Sequence, residues 1–258
     1  WGMGAHVIKC GLNPWIIELM QHGVIRSIAM NGAGPIHDFE IALIGETSED
    51  VASGLVDGTF GMVTETGQWM NAALDRADVR IGQMGMGEAF GRQLVEMQAP
   101  YLTHSILAHA YQLGIPVTVH VALGTDIIHM RNNQAGALLG QASFTDFRLF
   151  TAMVARLSGG GVYLNIGSAV ILPEVFLKAF TIAQNVGAGL NEFVTVNLDM
   201  QQHYRPRQNV VSRPAEVGGR GYALTGQHEL MIPLLAWAVL NVLAGEESEA
   251  SGERVDER

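Results

Sequence analysis

Apolar and polar positions follow two spacings along the chain, one typical of amphipathic helices and one typical of buried strands. Helical spacing predicts helices at residues 14–23, 101–113, 147–157 and 174–185. Short apolar runs predict strands at residues 24–30, 116–123, 162–166 and 193–198. Each predicted helix is followed by one of these strands. The repeated order predicts an α/β fold, a Rossmann-like three-layer domain with helices on both faces of a mostly parallel sheet.

The rest of the pattern favours a single folding unit. Residues 48–96 are rich in Gly and Met with mixed periodicity, so we expect an insertion within the same domain. Composition typical of a linker is absent, which predicts one domain over residues 1–245 and a charged, disordered tail at 246–258. The longest apolar run, residues 230–244, is shorter than the roughly 20 residues of a membrane span. We expect it to be a core helix and expect no membrane partner.

Composition and charge narrow the classes of partner. The chain has 258 residues, 48% of them hydrophobic and only 16% charged, which favours a large core and a surface buried in a homo-oligomer, a dimer or tetramer. A net charge of −10 repels phosphates and argues against a nucleic-acid partner. Cys10 is the single cysteine, which favours a reducing, cytoplasmic setting. The sequence starts at Trp1 rather than Met, so we expect residues upstream of it.

Two glycine-containing turns are candidates for nucleotide binding. Gly159, Gly160 and Gly161 separate a predicted helix from the strand at 162–166. Without Cβ atoms, their N–H groups are able to face a phosphate directly, although a tight helix-to-strand turn uses glycine for the same reason. The second turn, Asn31-Gly32-Ala33-Gly34, follows the first predicted strand.

Polar side chains follow three of the predicted strands, where the carboxyl ends of a parallel sheet gather ligands. These residues are Asn31, His37, Asp38 and Glu40; His120, Asp126 and His129; and Asn197, Asp199 and His203. Each set contains His together with Asp. Such pairs suit proton transfer or metal ligation, although a structural histidine is the common alternative.

Short motifs in order along the chain resemble the deoxyhypusine synthase family. Asn31-Gly-Ala-Gly followed by His37-Asp38 resembles the family's Thr-Ala-Gly-Gly turn and the acidic residues after it. Residues 115–130 resemble its Ile-Pro-Val…Ala-Leu-Thr-Asp-Gly segment. The other matches are Gly159-Gly160-Gly161-Val162 to Gly-Gly-Gly-Val, Val196-Asn197 to Ile-Asn-Thr, Arg213-Pro214 with Glu216 to Arg-Pro-Asp-Glu, and Pro233-Leu234-Leu235 to Pro-Leu-Leu.

The resemblance implies a Rossmann-like domain that binds NAD, in a homotetramer with active sites at a dimer interface. The family oxidises spermidine with NAD and passes its aminobutyl group through a lysine imine to a lysine of a translation factor. Its catalytic lysine follows Trp-Gly, whereas this chain has Tyr222 there. This chain has two lysines, Lys9 and Lys178. Neither of them matches the motif, so we expect no lysine in the site.

Further departures make the expected pocket less acidic. Asn165 stands where the family has a histidine, and His129 stands where it has an acid that holds the polyamine. A polycation needs several anionic partners to offset its desolvation. We therefore expect a protein that keeps the NAD-binding frame and does not make deoxyhypusine.

Three functions stay open. The first is an NAD-dependent enzyme of transferase or oxidoreductase type, acting on a small substrate other than the spermidine and translation-factor pair. Its expected residues are Asp126 and His129 as acid and base, Glu216 as substrate anchor, and Asn31, Gly32, Ala33, Gly34, Gly159, Gly160, Gly161 and Asn197 around the dinucleotide. The second is a metal-dependent hydrolase or lyase with His120, Asp126 and His129 as ligands. The third is a non-catalytic binding protein that retains the fold.

Overall fold

The computed structural model describes residues 1–130 and 136–251, with side chains as far as residue 246. Six strands form one sheet in which every neighbouring pair is parallel, in the order β3-β2-β1-β4-β5-β6. The strands are β1 (Gly2–Met3), β2 (Ile28–Asn31), β3 (Val117–His120), β4 (Val162–Ile166), β5 (Phe193–Asp199) and β6 (Gly219–Thr225). The protein therefore has the predicted three-layer α/β fold.

Helices make up the connections between the strands. They are α1 (His6–Lys9), α2 (Asn13–Gln21), α3 (Ala33–Ile44), α4 (Val51–Asp57), α5 (Thr64–Leu74), α6 (Ala77–Arg80), α7 (Met86–Glu96), α8 (Ile106–Leu113), α9 (Gly136–Val154), α10 (Ile171–Asn185), α11 (Tyr204–Pro206), α12 (Arg213–Ala215) and α13 (His228–Ser251). The connections also contain two 3-10 turns, Leu102–His104 and Ile127–Met130, and a π-helical segment, Arg207–Ser212.

Successive residues of a strand point to opposite faces of the sheet, and here they enter two separate cores. Ile28 and Met30 of β2 belong to a large cluster with side chains of α2, α3, α7, α8 and α13. Ala29 between them belongs to a second cluster with α10 and the later half of α9. That second cluster contains a stacked pair, Tyr163 and Phe176, with ring centroids 4.0 Å apart. Both faces are covered, as a parallel sheet requires.

One of the candidate acids, Asp38, is a structural residue that fixes the start of α8. Its carboxylate accepts hydrogen bonds from the Ser105 hydroxyl at 2.6 Å, from the N–H groups of Ile106 and Leu107 at 2.8 and 3.0 Å, and from Asn13 Nδ2 at 3.1 Å. The two N–H groups are free donors of a helix N-terminus, which need an acceptor when they are buried. Asp38 is fully buried and belongs to the fold rather than to the site.

Some elements of the fold were not predicted, and the expectation of a core helix at residues 230–244 is wrong. β1 and β6 were not predicted, and residues 48–96 supply α5 and α7, whose side chains are part of the main core. The run at 230–244 lies in α13, which is mostly exposed and is long and apolar enough, by length and composition alone, to cross a membrane. It contacts α2 along one face only, so it is not the core helix we expected. α13 also continues to Ser251, into the expected tail, whose remaining residues 252–258 lie outside the described residues.

Candidate functional site

The sheet reverses its direction of strand order between β1 and β4, and this point defines a candidate ligand crevice. In open parallel sheets, ligands bind where the loops at the carboxyl ends of two such strands diverge. Here those loops are residues 4–6 and 167–170, which we call the switch-point crevice. Gly4 N–H donates to the Ile166 carbonyl at 2.9 Å, and a Cβ on Gly4 would lie 3.0 Å from the Gly167 carbonyl carbon. Only glycine allows this close approach of the two backbones.

Two buried polar atoms at the crevice lack partners within the described part of the chain. They are Asn165 Oδ1, at the end of β4, and His228 Nε2, at the start of α13. Both residues are more than nine-tenths buried. An unpaired buried polar group costs free energy, and a bound ligand with polar groups is one way to satisfy it. A ligand that paired with Asn165 Oδ1 or His228 Nε2 would have to carry a polar group, and both atoms are enclosed in this structure.

A histidine pair lies beside the same loops. His228 Nδ1 is 3.2 Å from Nδ1 of His6, so one ring donates a hydrogen bond to the other. Burial holds the pKa of His228 below its usual value, with a smaller opposing effect from Asp199. The His228 ring packs on Gly167, where a Cβ would come within 2.6 Å of Cε1. His228 is thus a neutral, positioned imidazole at the crevice near neutral pH.

A small pocket lies over the carboxyl ends of β2 and β3, between α1 and α3. We call it the Lys9–Asp126 pocket. It encloses about 180 Å³, and its polar lining residues are Lys9, His37, Glu40, Ser48, Glu49, Thr125 and Asp126. Three carboxyl groups and one ammonium group therefore line the pocket. Lys9 was not expected in any site, and the prediction that neither lysine reaches one is wrong.

Asp126 and His129 are brought together behind this pocket, as the sequence predicts. His129 Nδ1 accepts the N–H groups of Gly124 and Asp126, both at 3.2 Å, so the neutral ring carries its hydrogen on Nε2. That nitrogen lies 3.9 Å from Asp126 Oδ2, too far for a hydrogen bond. Both atoms are buried and have no partner among residues 1–130 and 136–246. Burial raises the pKa of Asp126, and His129 partly offsets the effect.

His37 and Glu40 both form a hydrogen bond with the Thr47 hydroxyl, and together they provide hydrogen-bond acceptors at one side of the pocket. The Thr47 hydroxyl donates to Glu40, so it must accept from His37 Nδ1, which lies 2.7 Å away. This arrangement leaves His37 Nε2 as an acceptor. Burial, and then the nearby Lys9 ammonium, lower the pKa of His37 to about 4, so the ring is neutral at pH 7. Burial also raises the pKa of Glu40.

The Asn31–Gly34 turn belongs to this pocket rather than to the switch-point crevice. Asn31 Oδ1 accepts the Gly34 N–H at 3.2 Å and so fixes the start of α3. Ala33 lines the pocket. Gly32 packs directly against Asp126, and a Cβ there would lie 2.8 Å from the Asp126 carboxyl carbon. The structure therefore joins this turn with Asp126 and His129.

The glycine triplet lies at the opposite edge of the sheet. It precedes β4, so it sits at the amino ends of the strands, whereas the crevice and the pocket lie at the carboxyl ends. The N–H groups of Gly159 and Gly160 donate to the carbonyls of Asn191 and Glu192, and that of Gly161 donates to Leu157. None of the three is free for a phosphate. The triplet is a helix-to-strand turn, and we leave it out of the site.

Glu216 and Asn197 are also placed apart from Asp126. Glu216 is exposed and precedes β6, so it lies at the amino edge of the sheet, like the glycine triplet. It therefore does not anchor a substrate in this pocket. Asn197 lies near the carboxyl end of β5, where its Oδ1 accepts from Asn165 Nδ2 at 2.8 Å and its Nδ2 donates to Gln202 at 2.7 Å. It supports Asn165 at the switch-point crevice.

The three proposed metal ligands do not converge. His120 lies on the face of the sheet covered by α9 and α10, with its ring against Phe150 and its Nε2 3.0 Å from the Thr118 hydroxyl. Asp126 lines the pocket between α1 and α3 instead. Across the described residues, no group of three or more His, Cys, Asp or Glu side chains is placed to hold a metal.

Sequence reasoning missed the residues that follow β1 and β6. Gly4, His6 and Lys9 follow a strand of two residues, which is too short to produce a periodic signal. The glycine spacing of Gly2 and Gly4 is the one local sign of a turn there. His228 follows β6, an exposed strand without an apolar run. Lys178 makes a surface ion pair with Glu174, and Tyr222 lies on β6 about half exposed.

Comparison with known proteins supports the fold of this chain and assigns it neither a family nor a function. No protein-family model and no curated protein sequence matches the chain. A conserved protein assigned to the LOR/SDH class from Methanococcus maripaludis S2 superposes with a TM-score of 0.52 at 14% identity, over 93% of this chain and 60% of that one. This chain thus spans about 60% of the length of that relative.

Two further solved structures have TM-scores of 0.46. One is ArgZ, an arginine dihydrolase from the ornithine–ammonia cycle in Cyanobacteria, at 16% identity over 91% of this chain and 28% of that one. The other is a protein assigned as a deoxyhypusine synthase from Entamoeba histolytica, at 14% identity over 90% of this chain and 71% of that one. These are similarities of fold only.

Proposed function

We propose that this protein is a deoxyhypusine-synthase-like enzyme that binds NAD at the switch-point crevice and acts on a small substrate other than the spermidine and translation-factor pair. The observation that carries the proposal is the Lys9–Asp126 pocket, which lies at the carboxyl edge of an all-parallel sheet of Rossmann order. Its volume of about 180 Å³ is below the roughly 300 Å³ at which ordinary ligand pockets begin. A pocket of this size suits a compact molecule.

The pocket chemistry favours a substrate with hydroxyl or amine donors. Asp126 and Glu40 present carboxylates, and His37 presents an acceptor nitrogen. Burial raises the pKa of Asp126, which makes its carboxylate a stronger base than an exposed one. In the proposed reaction Asp126 takes the proton of the substrate hydroxyl or amine, and His129 positions the backbone of Asp126 by accepting its N–H. NAD, when bound, would supply the hydride acceptor for this oxidation.

The residues that would hold NAD are those of the switch-point crevice. Gly4 and Gly167 let the two loops come close together, and Asn165 and His228 offer buried polar atoms to the ligand. Asn197 positions Asn165, and the Asn31–Gly34 turn borders the neighbouring pocket. We do not include the glycine triplet or Glu216.

A turnover assay tests the proposal. The protein is incubated with NAD and a panel of short amines and hydroxy compounds, and NADH is followed by its absorbance, with Asp126→Asn as the control variant. We expect turnover of at least one compound that the variant loses. Robust aminobutyl transfer from spermidine to the translation factor would contradict the proposal. NAD binding without any turnover would favour the non-catalytic binding protein instead.

We further propose that the chain forms a homo-oligomer in the cytoplasm, a dimer or tetramer. Leu230, Leu234 and Trp237 lie on one face of α13, and all three are more than half exposed. Tyr222 and Leu224 are exposed on β6, whose outer edge is unpaired in the described chain. Exposed apolar surface of this extent is typical of an interface. Light scattering after size exclusion should show an oligomer that Trp237→Ser weakens; a monomer at high concentration would contradict this proposal.

A further inference from the structure

The polar side chains of the Lys9–Asp126 pocket differ in depth. Asp126, Glu40 and His37 form its floor, with side chains only 6%, 11% and 18% exposed. Lys9 and Glu49 are exposed and lie at its mouth. Hydrogen-bond acceptors are therefore enclosed in the pocket, whereas the Lys9 ammonium group lies where the pocket meets solvent.

The three floor residues all keep acceptor capacity for a ligand. The side chain of Asp126 is more than nine-tenths buried, and its Oδ2 has no hydrogen-bond partner in the part of the chain that the structure describes. Glu40 accepts from the Thr47 hydroxyl and the Ser48 N–H, and a carboxylate has about four lone-pair positions. His37 Nε2 is an acceptor because Nδ1 donates to Thr47. An ammonium group donates three hydrogen bonds and a hydroxyl only one, so this floor matches an ammonium group.

The Lys9 ammonium is available to an anionic group at the mouth of the pocket. It forms no ion pair within 4 Å across residues 1–130 and 136–246. Its charge nevertheless acts on the pocket, because it adds to burial in lowering the pKa of His37. The neighbouring carboxylate, Glu49, is held on its own loop by the Gly61 N–H, which donates to Oε2 at 2.8 Å. A ligand carboxylate would therefore meet a cation that has no carboxylate partner of its own.

The rest of the lining limits the side chain of such a ligand. The apolar lining residues are Ala33, Ile36, Val51, Phe60 and Ile127. Burying an apolar side chain against them is favourable, whereas a charged side chain would lose its hydration. The volume of about 180 Å³ leaves room for a short chain only. The pocket thus combines places for an ammonium group, a carboxylate and a small apolar group.

We propose that the Lys9–Asp126 pocket binds a small apolar amino acid, with its ammonium group on the floor and its carboxylate at Lys9. This inference rests on the proposed function for the oxidation step. In that step the amino acid would lose a proton from its ammonium group to Asp126 and a hydride from its α-carbon to the acceptor. Water would then convert the iminium carbon to a ketone and release ammonium. Binding itself needs no oxidation, so the two proposals are separable by experiment.

Three small molecules separate the two charged ends of the ligand. Alanine carries both ends, ethylamine lacks the carboxylate and propionate lacks the ammonium group. Their binding is measured by NMR titration, which detects weak affinities, in the unmodified protein, Lys9→Met and Glu40→Gln. Lys178→Met is the matched control, because it removes the same charge from an exposed lysine on α10. Thermal melts establish that all three variants are folded.

We expect alanine to bind about tenfold or more tightly than ethylamine or propionate, because each of these lacks one charge-assisted contact. Lys9→Met should weaken alanine binding about tenfold or more and strengthen ethylamine binding, since it removes the partner of one and a like charge beside the other. Glu40→Gln should weaken the binding of both. Lys178→Met should change neither affinity.

Two results would overturn the inference: no preference of the unmodified protein for alanine over ethylamine and propionate, or alanine binding that ignores Lys9→Met. If NADH is still formed from amines or alcohols without a carboxylate, the proposed function stands although this substrate class is wrong. Alanine binding with the expected effects of the variants, without formation of NADH and ammonium, would support the inference and count against the proposed enzyme.

Discussion

Replacing Gly32 by Ala tests the contact on which the geometry of the Lys9–Asp126 pocket depends. The new Cβ would overlap Asp126 Oδ2 and lie 2.8 Å from Asp126 Cγ and 3.2 Å from Val121 Cγ1. Overpacking of this kind costs about 1–3 kcal/mol in the free energy of unfolding. Because Asp126 is buried, its carboxylate has to shift, and a displacement of about 1 Å at a catalytic group is able to reduce turnover about a hundredfold.

A double-mutant cycle isolates that contact. Urea denaturation gives the free energy of unfolding of the unmodified protein, Gly32→Ala, Asp126→Ala and the double variant. Asp126→Ala removes the atoms that the new Cβ meets, so Gly32→Ala should cost at least about 1 kcal/mol less in that background. The altered helix start and the Val121 contact are common to both backgrounds and cancel.

The matched control is Gly245→Ala in α13, where a Cβ meets nothing within 4 Å. It should stabilise the protein by about 0.5–1 kcal/mol, because alanine is the better helix former. If Gly32→Ala costs the same with and without the Asp126 carboxylate, the packing of the site described above is wrong.

Two further predictions concern ionisation. Burial raises the pKa of Asp146 to about 8 from its ordinary 3.8, so the folded protein keeps a proton that the unfolded chain loses in that window. Stability should therefore fall as pH rises from about 4 to about 8, and Asp146→Asn should flatten the slope in denaturation at several pH values; an unchanged slope would contradict this. Lys9→Met removes a cation that adds to burial in lowering the pKa of His37, so that pKa should rise yet stay below normal in an NMR titration. No change would mean that Lys9 lies away from the pocket.

The sequence predicted the central strands because each is a buried apolar run. β4 has the predicted bounds, Val162–Ile166, and β5 extends the predicted strand by one residue to Asp199. β1 has only two residues and β6 is largely exposed, so neither strand produces an apolar run in the sequence. Because β1 was not predicted, neither the strand order of the sheet nor its switch point could be derived from the sequence. The switch point sets the position of the crevice.

The sequence placed polar motifs correctly after the strands it predicted, and it missed those after β1 and β6 because these two strands were not predicted. The Asn31–Gly34 turn and Asp126–His129 lie at the carboxyl ends of β2 and β3, as expected. The glycine triplet was placed correctly before β4, but a turn that enters a strand lies at the amino edge of the sheet, and its N–H groups are bonded to backbone carbonyls. Lys9 came into the pocket through the packing of α1 beside α3, a contact between elements that no local pattern records.

NAD binding at the switch-point crevice is the central claim, and calorimetry with two charge variants tests it most directly. Ala169→Glu adds a negative charge to the loop after β4, whereas Ala215→Glu adds the same charge on the exposed end of α12, at the amino edge of the sheet. We predict saturable binding of one NAD per chain, weakened about tenfold or more by Ala169→Glu because of repulsion from the pyrophosphate, and unchanged by Ala215→Glu. Absence of binding to the unmodified protein, or equal affinity in both variants, would contradict the account.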